Sequence, residues 1–218
     1  MADRPPVALE SRNEGGDGRR YSPSAARNRE PIRDVLAPLF KAPARVLEIA
    51  SGTGEHGAFL TSQFPDLHWT YSDIDPESLI SQNAWAQADE TGRLAGPLRI
   101  DAATENWQQA EGRAPWDAIF SANMVHIAPW AAAQGLIRGA GRLLRSGGSL
   151  ILYGPFARDG VFVPSNAAFN DSLKARNPEW GVRDLVRELV PLAASSSLAL
   201  NAVTDMPANN LTVVFGKN

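Results

Sequence analysis

The sequence predicts an α/β protein built on a largely parallel sheet, and three observations predict it. The apolar run Arg45-Val46-Leu47-Glu48-Ile49 leads into the small-residue loop Ala50-Ser51-Gly52-Thr53-Gly54 and then into a helix-compatible stretch. Strand, tight turn and helix N-terminus in that order are how such sheets build a ligand-binding crevice. From Ala44 onward, short apolar or β-branched runs alternate with helical patterns, the sign of parallel strands joined by crossover helices. Finally, 218 residues with 44% hydrophobic and 21% charged content suit one globular domain able to bury most of its apolar surface.

Residues 1–20 are rich in Arg, Gly, Asp, Glu and Pro and are expected to be mobile, with a single domain over 21–218. Tyr21–Pro31 is polar yet runs straight into the amphipathic stretch Ile32, Val35, Leu36, Leu39, Phe40. It reads either as a linker with a capping helix or as a helical arm folded over a ligand site. Strands are expected at 44–49, 67–73, 97–101, 116–121, 148–154, 198–205 and 210–216. Helices are expected at 55–64, 76–90 and 130–144, with a pair near 167–175 and 182–194. Asp75-Pro76 is a helix start, an N-cap acid followed by proline at the first helical position. Ala128-Pro129 starts the next clear helix, and Ser146-Gly147-Gly148 supplies its stop before the fifth strand. Arg158–Asn166 reads as an irregular loop long enough to be a lid.

Composition excludes several classes. A net charge of -3 and a pI near 5.6 give no basic footprint for nucleic acid. No apolar run approaches the roughly 18 residues that span a bilayer, and the N-terminus does not read as a secretory signal; a cytoplasmic protein is expected. With no cysteine, a disulfide framework, a thiolate zinc site, a cysteine nucleophile and a cysteine-ligated iron–sulfur cluster are all ruled out. No His/Asp/Glu spacing suggests a metal site, no Gly-x-Ser-x-Gly elbow is present, and nothing sets an oligomeric state.

The chemistry concentrates at the ends of the expected strands. Glu48 can favour a cationic ligand or order the loop by accepting backbone N–H bonds. The string Gly52-Thr53-Gly54-Glu55-His56-Gly57 formally reads as the dinucleotide fingerprint. The same stretch, Glu48-x-Ala50-x-Gly52-x-Gly54, resembles the first motif of class I S-adenosylmethionine-dependent methyltransferases, so two cofactors stay open. Asp73, 19 residues after Gly54, can accept from both ribose hydroxyls in either case; removing it should cost roughly 1.5–3 kcal/mol of cofactor binding. Its neighbour Asp75 is better explained as a helix cap. Asp101 ends the third strand and is either an adenine acceptor or a turn residue, with Leu98 and Ile100 on the buried face. Asn123 and His126 follow the fourth strand on the catalytic side, where His126 is a candidate general base or else a packed histidine. Tyr153 and Phe156 flank the turn after the fifth strand and either form an acceptor pocket or pack at the sheet edge. His56 and His68 look less promising, one opening a helix and the other in a strand.

From about Tyr21 to the C-terminus the chain resembles a family of small class I methyltransferase-like proteins. The family is catalogued mainly as a domain of unknown function, with a vertebrate methyltransferase-like member. The matching strings are Ser22-Pro23-Ser24-Ala25, Arg27-Asn28-Arg29-Glu30-Pro31-Ile32, Val46 through His56, Ser72-Asp73, Ala122 through Trp130, Tyr153-Gly154-Pro155-Phe156, Pro164-Ser165-Asn166 and Met206 through Leu211. Ala50 is that family's usual residue at a position where the broader motif carries glycine. The resemblance implies a seven-stranded, Rossmann-like, mostly parallel sheet with helices on both faces, and S-adenosyl-L-methionine as cofactor. It further implies Glu48, Ala50, Ser51, Gly52, Gly54, Asp73, Asp101 and Asn123 around that cofactor. Arg27, Asn28 and Arg29 can hold the cofactor carboxylate or an anionic acceptor. The arm, Asn123–Trp130, the 164–166 loop and 206–211 would surround one mouth. No (Asp/Asn)-Pro-Pro-(Tyr/Phe) tetrapeptide follows the fourth strand, which, with the acidic pI, points to a small-molecule acceptor. The rival expectations are a nicotinamide oxidoreductase, a non-catalytic cofactor-binding or interaction module, and aminopropyl transfer, for which no acid cluster is evident.

Overall fold

The computed structural model describes residues 12–40 and 42–218. Its core is a seven-stranded sheet in the order β5-β4-β3-β6-β7-β9-β8. The strands are β3 (Ala44–Glu48), β4 (Leu67–Asp73), β5 (Leu94–Arg99), β6 (Trp116–Ala122), β7 (Leu144–Gly154), β8 (Leu198–Met206) and β9 (Asn210–Lys217). β3 through β7 pair in parallel, while β9 runs antiparallel to both β7 and β8. From β3 the chain builds outward through β4 and β5, then returns to place β6 on the other side of β3. That reversal opens a crevice at the carboxyl ends of β3 and β6, where ligands bind in open α/β sheets.

Both faces of the sheet are covered, so each strand alternates between two apolar layers. Leu47, Ile119, Leu150 and Leu152 pack on one side with Leu136, Ile137 and Leu189. Val46, Trp69, Phe120 and Ile151 face the other side, against Ile32, Leu36 and Leu60. The helices doing this are α5 (Trp130–Leu143) and α7 (Val190–Ala194) on the first face, and α1 (Pro23–Leu36) and α2 (Glu55–Gln63) on the second. α3 (Pro76–Gln87) lies beside β4 and β5, and α4 (Gln108–Glu111) and α6 (Pro164–Arg176) complete the set. Asp75 caps α3 as expected, accepting the Ser78 N–H at 2.9 Å.

Local differences from the sequence expectations have physical causes. Residues 12–20, expected to be mobile, contain strand β1 (Asn13–Glu14), which pairs with β2 (Arg20–Tyr21). This hairpin docks on α3: the Arg20 N–H donates to Ser81, its guanidinium pairs with Glu77, and Arg19 lies 4.7 Å over the Trp85 ring. The rest of that expectation, residues 1–11, lies outside the described residues. Ser146-Gly147-Gly148 does not stop α5, which ends at Leu143; the glycines instead form an irregularity within β7, where pairing with β6 jumps from Leu144 to Ser149. The expected 182–194 helix splits into a π-helical turn, Leu185–Leu189, and the short α7. Pro191 has no N–H to give, so the regular ladder cannot run through that point. The 158–166 segment is a tight turn at Arg158–Val161 followed by the first turn of α6, not an irregular loop.

Candidate functional site

The small-residue loop takes its shape from three left-handed residues, Ala50, Gly52 and Gly54, at φ 58°, 57° and 88°. Two are glycine, which adopts this region freely; Ala50 is the exception, at the position where the broader motif has glycine. The loop is tied to the sheet by Ser51, whose N–H donates to the Ser72 carbonyl at 2.8 Å. Gly52 N–H donates to the Asp73 carboxylate at 2.9 Å, and Asp73 also accepts the Ile74 and Asp75 N–H groups. Burial raises the Asp73 pKa, and these N–H bonds oppose that rise. Gly57, two residues into α2, lets the helix lie against β4, since a Cβ there would come within 2.5 Å of the Trp69 and Tyr71 rings.

A cavity of about 570 Å³ opens beside this loop. Ala50–Thr53 form one wall, and α1 contributes Ala25, Arg27 and Asn28. The ends of β6 and β7 supply Asn123, His126 and Tyr153, while Asn166 and Asn210 close the far side. The arm, the segment after β6, the start of α6 and the 207–210 turn therefore do meet at one mouth. The volume falls in the range of a small-molecule site, roughly 300–1,000 Å³. Its charged lining, among the described residues, is Arg12 and Arg27, with no carboxylate.

α1 is joined to the core by a buried polar chain. Glu48, 1% exposed, accepts the Trp69 indole N–H at 2.9 Å, and its other oxygen lies 3.6 Å from His56 Nδ1. His56 Nε2 meets Asn28 Oδ1 at 2.8 Å, and the Asn28 side chain hydrogen-bonds Tyr153. Burial raises the Tyr153 pKa, partly offset by Asn28 and the nearby Arg27 charge. A second tie runs from the Ser22 N–H to Glu55, whose carboxylate also accepts the Thr53 hydroxyl.

Several expected site residues are placed differently from their sequence reading. The Glu48 carboxylate accepts no loop N–H; it is its main-chain carbonyl that takes the Ser51 and Ser72 hydroxyls. Asp101 accepts the Ala103 N–H at 2.9 Å, as a turn residue does, and neither it nor Gly54 borders the cavity. Asp73 sits behind Gly52 and is not on the cavity surface. Arg29 points to Phe59, 5.0 Å from the ring centroid. Phe156 is buried and packs edge to face on His126 at 4.7 Å.

His126 does not fit the role of general base. It is fully buried, and its Nδ1 accepts the Arg183 N–H at 3.2 Å. Burial, with the Arg183 charge adding to it, holds its pKa at about 3, so the ring is neutral at ordinary pH. Arg183 also clamps the segment after β6 by donating to the Val125 and Ala128 carbonyls, each at 2.9 Å.

Sequence reasoning missed Arg12, Glu55 and Arg183, and it set aside His56, which the structure joins to Glu48 and Asn28. Glu55-His56, directly after the loop, was the available signal for two of them; nothing in the local sequence pairs Arg183 with a residue 57 positions away. Among the described residues no group of three His, Cys, Asp or Glu could hold a metal, and no helix is long and apolar enough to cross a membrane.

Known structures share this architecture. An O-methyltransferase family protein from Burkholderia thailandensis superposes with a TM-score of 0.74 at 18% identity, over 89% of this chain and 57% of that one. A putative O-methyltransferase from Nostoc punctiforme PCC 73102 gives 0.72 at 17% identity, over 88% and 56%. Human N-acetylserotonin methyltransferase, in complex with SAM (S-adenosylmethionine), gives 0.66 at 13% identity, over 87% and 55%. The chain spans a little over half the length of these proteins, and the likeness is one of fold, that of class I S-adenosylmethionine-dependent methyltransferases. The family model described as "Protein of unknown function (DUF938)" matches residues 19–217, and the chain belongs to that family.

Proposed function

We propose that this protein transfers the methyl group of S-adenosylmethionine to a small-molecule acceptor. The observation that carries this reading is a single cavity bordered both by the Ala50–Thr53 loop and by Asn123, His126 and Tyr153. The cofactor half fits the loop: small residues allow close approach, and Asp73 stands directly behind Gly52. From there Asp73 holds the loop by accepting the Gly52 N–H, and the Gln82 amide braces the same loop by donating to the Gly52 carbonyl at 3.0 Å. Arg12 and Arg27 supply positive charge for a cofactor carboxylate or an anionic acceptor. Bound there, S-adenosylmethionine would supply a methyl group already activated by a cationic sulfur. The chain's own residues then have to align the acceptor and exclude water.

A concave cavity whose described lining holds no lysine, in a protein of net charge -3, supports a small acceptor over nucleic acid. Calorimetry should show S-adenosylhomocysteine binding and none of NADH or NADPH. Asp73→Ala should weaken that binding by roughly 1.5–3 kcal/mol. Metabolite profiling with labelled S-adenosylmethionine, wild type against Asp73→Ala, tests the enzyme itself. If no labelled product depends on the intact site, or NADH binds and S-adenosylhomocysteine does not, the reading fails.

A further inference from the structure

A buried hydrogen-bond donor without a partner borders the acceptor end of the cavity. His126 is 0% exposed; its Nδ1 accepts the Arg183 N–H at 3.2 Å, the arrangement that leaves the ring proton to Nε2, while the Gly181 main chain acts on the ring in the sense that favours its protonation. Nε2 has no hydrogen-bond partner among the described residues, and a buried donor left unmet is costly. The space around it is shaped by a missing side chain. A Cβ on Gly154 would lie 2.7 Å from Nε2 and 3.2 Å from Asn123 Oδ1. Asn123 is held at a left-handed φ of 61°, its N–H donating to the Tyr153 carbonyl at 2.7 Å. Phe156 and the Arg183 N–H fix the imidazole, so its free N–H direction is set before any ligand arrives.

The surrounding groups agree in sign. Arg183 acts on the ring from the segment after α6, Arg27 lies near Tyr153 across the cavity, and Arg12 faces it from the hairpin. Glu188 acts on Arg183 but does not line the cavity. The described lining holds no Asp, Glu, Lys or Cys, and the other histidine, His56, has its Nε2 engaged by Asn28. The described lining therefore offers donors and positive charge but no carboxylate, lysine or thiol to take a proton.

Resting on the methyl-transfer reading, we propose that the acceptor is a small oxyanion that binds already ionised. His126 Nε2–H donates to its oxygen, and Arg12 and Arg27 contribute to the positive field of the described lining that favours its charge. His126 is thus a donor that orients the nucleophile and not a base. The acceptor's lone pair forms the bond to the methyl carbon as the carbon–sulfur pair returns to sulfur, and no proton is transferred.

The test uses the full chain with S-adenosylhomocysteine bound and benzoate against benzamide as probes. Calorimetry should give benzoate at least roughly tenfold tighter binding, as expected for charge-assisted recognition, and Arg27→Gln should abolish the difference. Gly154→Ala should remove benzoate binding while S-adenosylhomocysteine still binds. On the wild-type protein, ring ¹⁵N NMR should show His126 as the Nε2–H tautomer, unprotonated from about pH 8 to about pH 5. Equal binding of the two probes, binding of neither, or a His126 ring that titrates near neutral pH overturns the oxyanion proposal. Failure of S-adenosylhomocysteine to bind overturns the methyl-transfer reading and this one with it.

Discussion

His126 makes the protein acid-sensitive by an amount that can be worked out. Its pKa falls from an ordinary 6.5 to about 3 in the folded chain. Between those values the unfolded chain binds a proton that the folded chain refuses. Stability is therefore fully present above 6.5 and is lost as pH falls, at about 1.4 kcal/mol per pH unit, until the folded ring protonates. Integrated from about pH 7 to about pH 5, the loss assigned to this one ring is ~2 kcal/mol. The perturbation is His126→Gln, which removes the titration. The assay is urea unfolding of both proteins across that interval. Gln also loses the Arg183 contact, so the variant is less stable throughout; the quantity to compare is the slope. Wild type should lose about 2 kcal/mol more than the variant on acidification. Parallel stability curves would refute the buried, neutral histidine and remove the main support for reading it as a donor.

Other substitutions probe the loop and the arm. Gly57→Ala puts a Cβ within 2.5 Å of two fully buried rings, Trp69 and Tyr71. Denaturation should show it destabilised by ~1–3 kcal/mol, or more if the helix cannot shift. Ala50→Gly removes a Cβ from a left-handed position and should stabilise by up to about 1 kcal/mol; a loss of stability would mean that residue 50 is not left-handed. Asn28→Leu leaves His56 Nε2 and the Tyr153 hydroxyl unpaired and should cost ~1–3 kcal/mol. Hydrogen exchange in the first two turns of α1 should rise with it, and unchanged exchange would show that the polar chain does not hold the helix.

The seven strands were legible because each is a short apolar run bounded by turn residues, a pattern that survives any tertiary arrangement. β5 begins earlier than expected, at Leu94, because it passes through Gly96-Pro97 with a register irregularity against β4; proline and glycine in sequence read as a boundary. Ala50, Ser51, Gly52, Asn123 and Tyr153 were placed by their position at strand ends, and they do border the cavity. What sequence could not give was partnership. Glu48 looks like a loop-ordering acid until Trp69 and His56 are folded against it. His126 looks like a base until burial and a main-chain N–H 57 residues away take its free lone pair. Both depend on three-dimensional surroundings that no local spacing encodes.

The two ends of α1 are secured by different forces, and this sets an order of release. Its first half buries only the small Ala25 as apolar surface and is tied by hydrogen bonds at the N-cap Ser22 and at Asn28, which water can replace at modest net cost. Its second half carries Ile32 and Leu36, both 0% exposed, whose withdrawal would return apolar surface to water at about 25 cal/mol per Å². Between them Pro31 lacks the N–H that would bond to the turn before it. A ligand competing for polar contacts therefore loosens the cavity-facing end first, with the anchored half acting as the fulcrum.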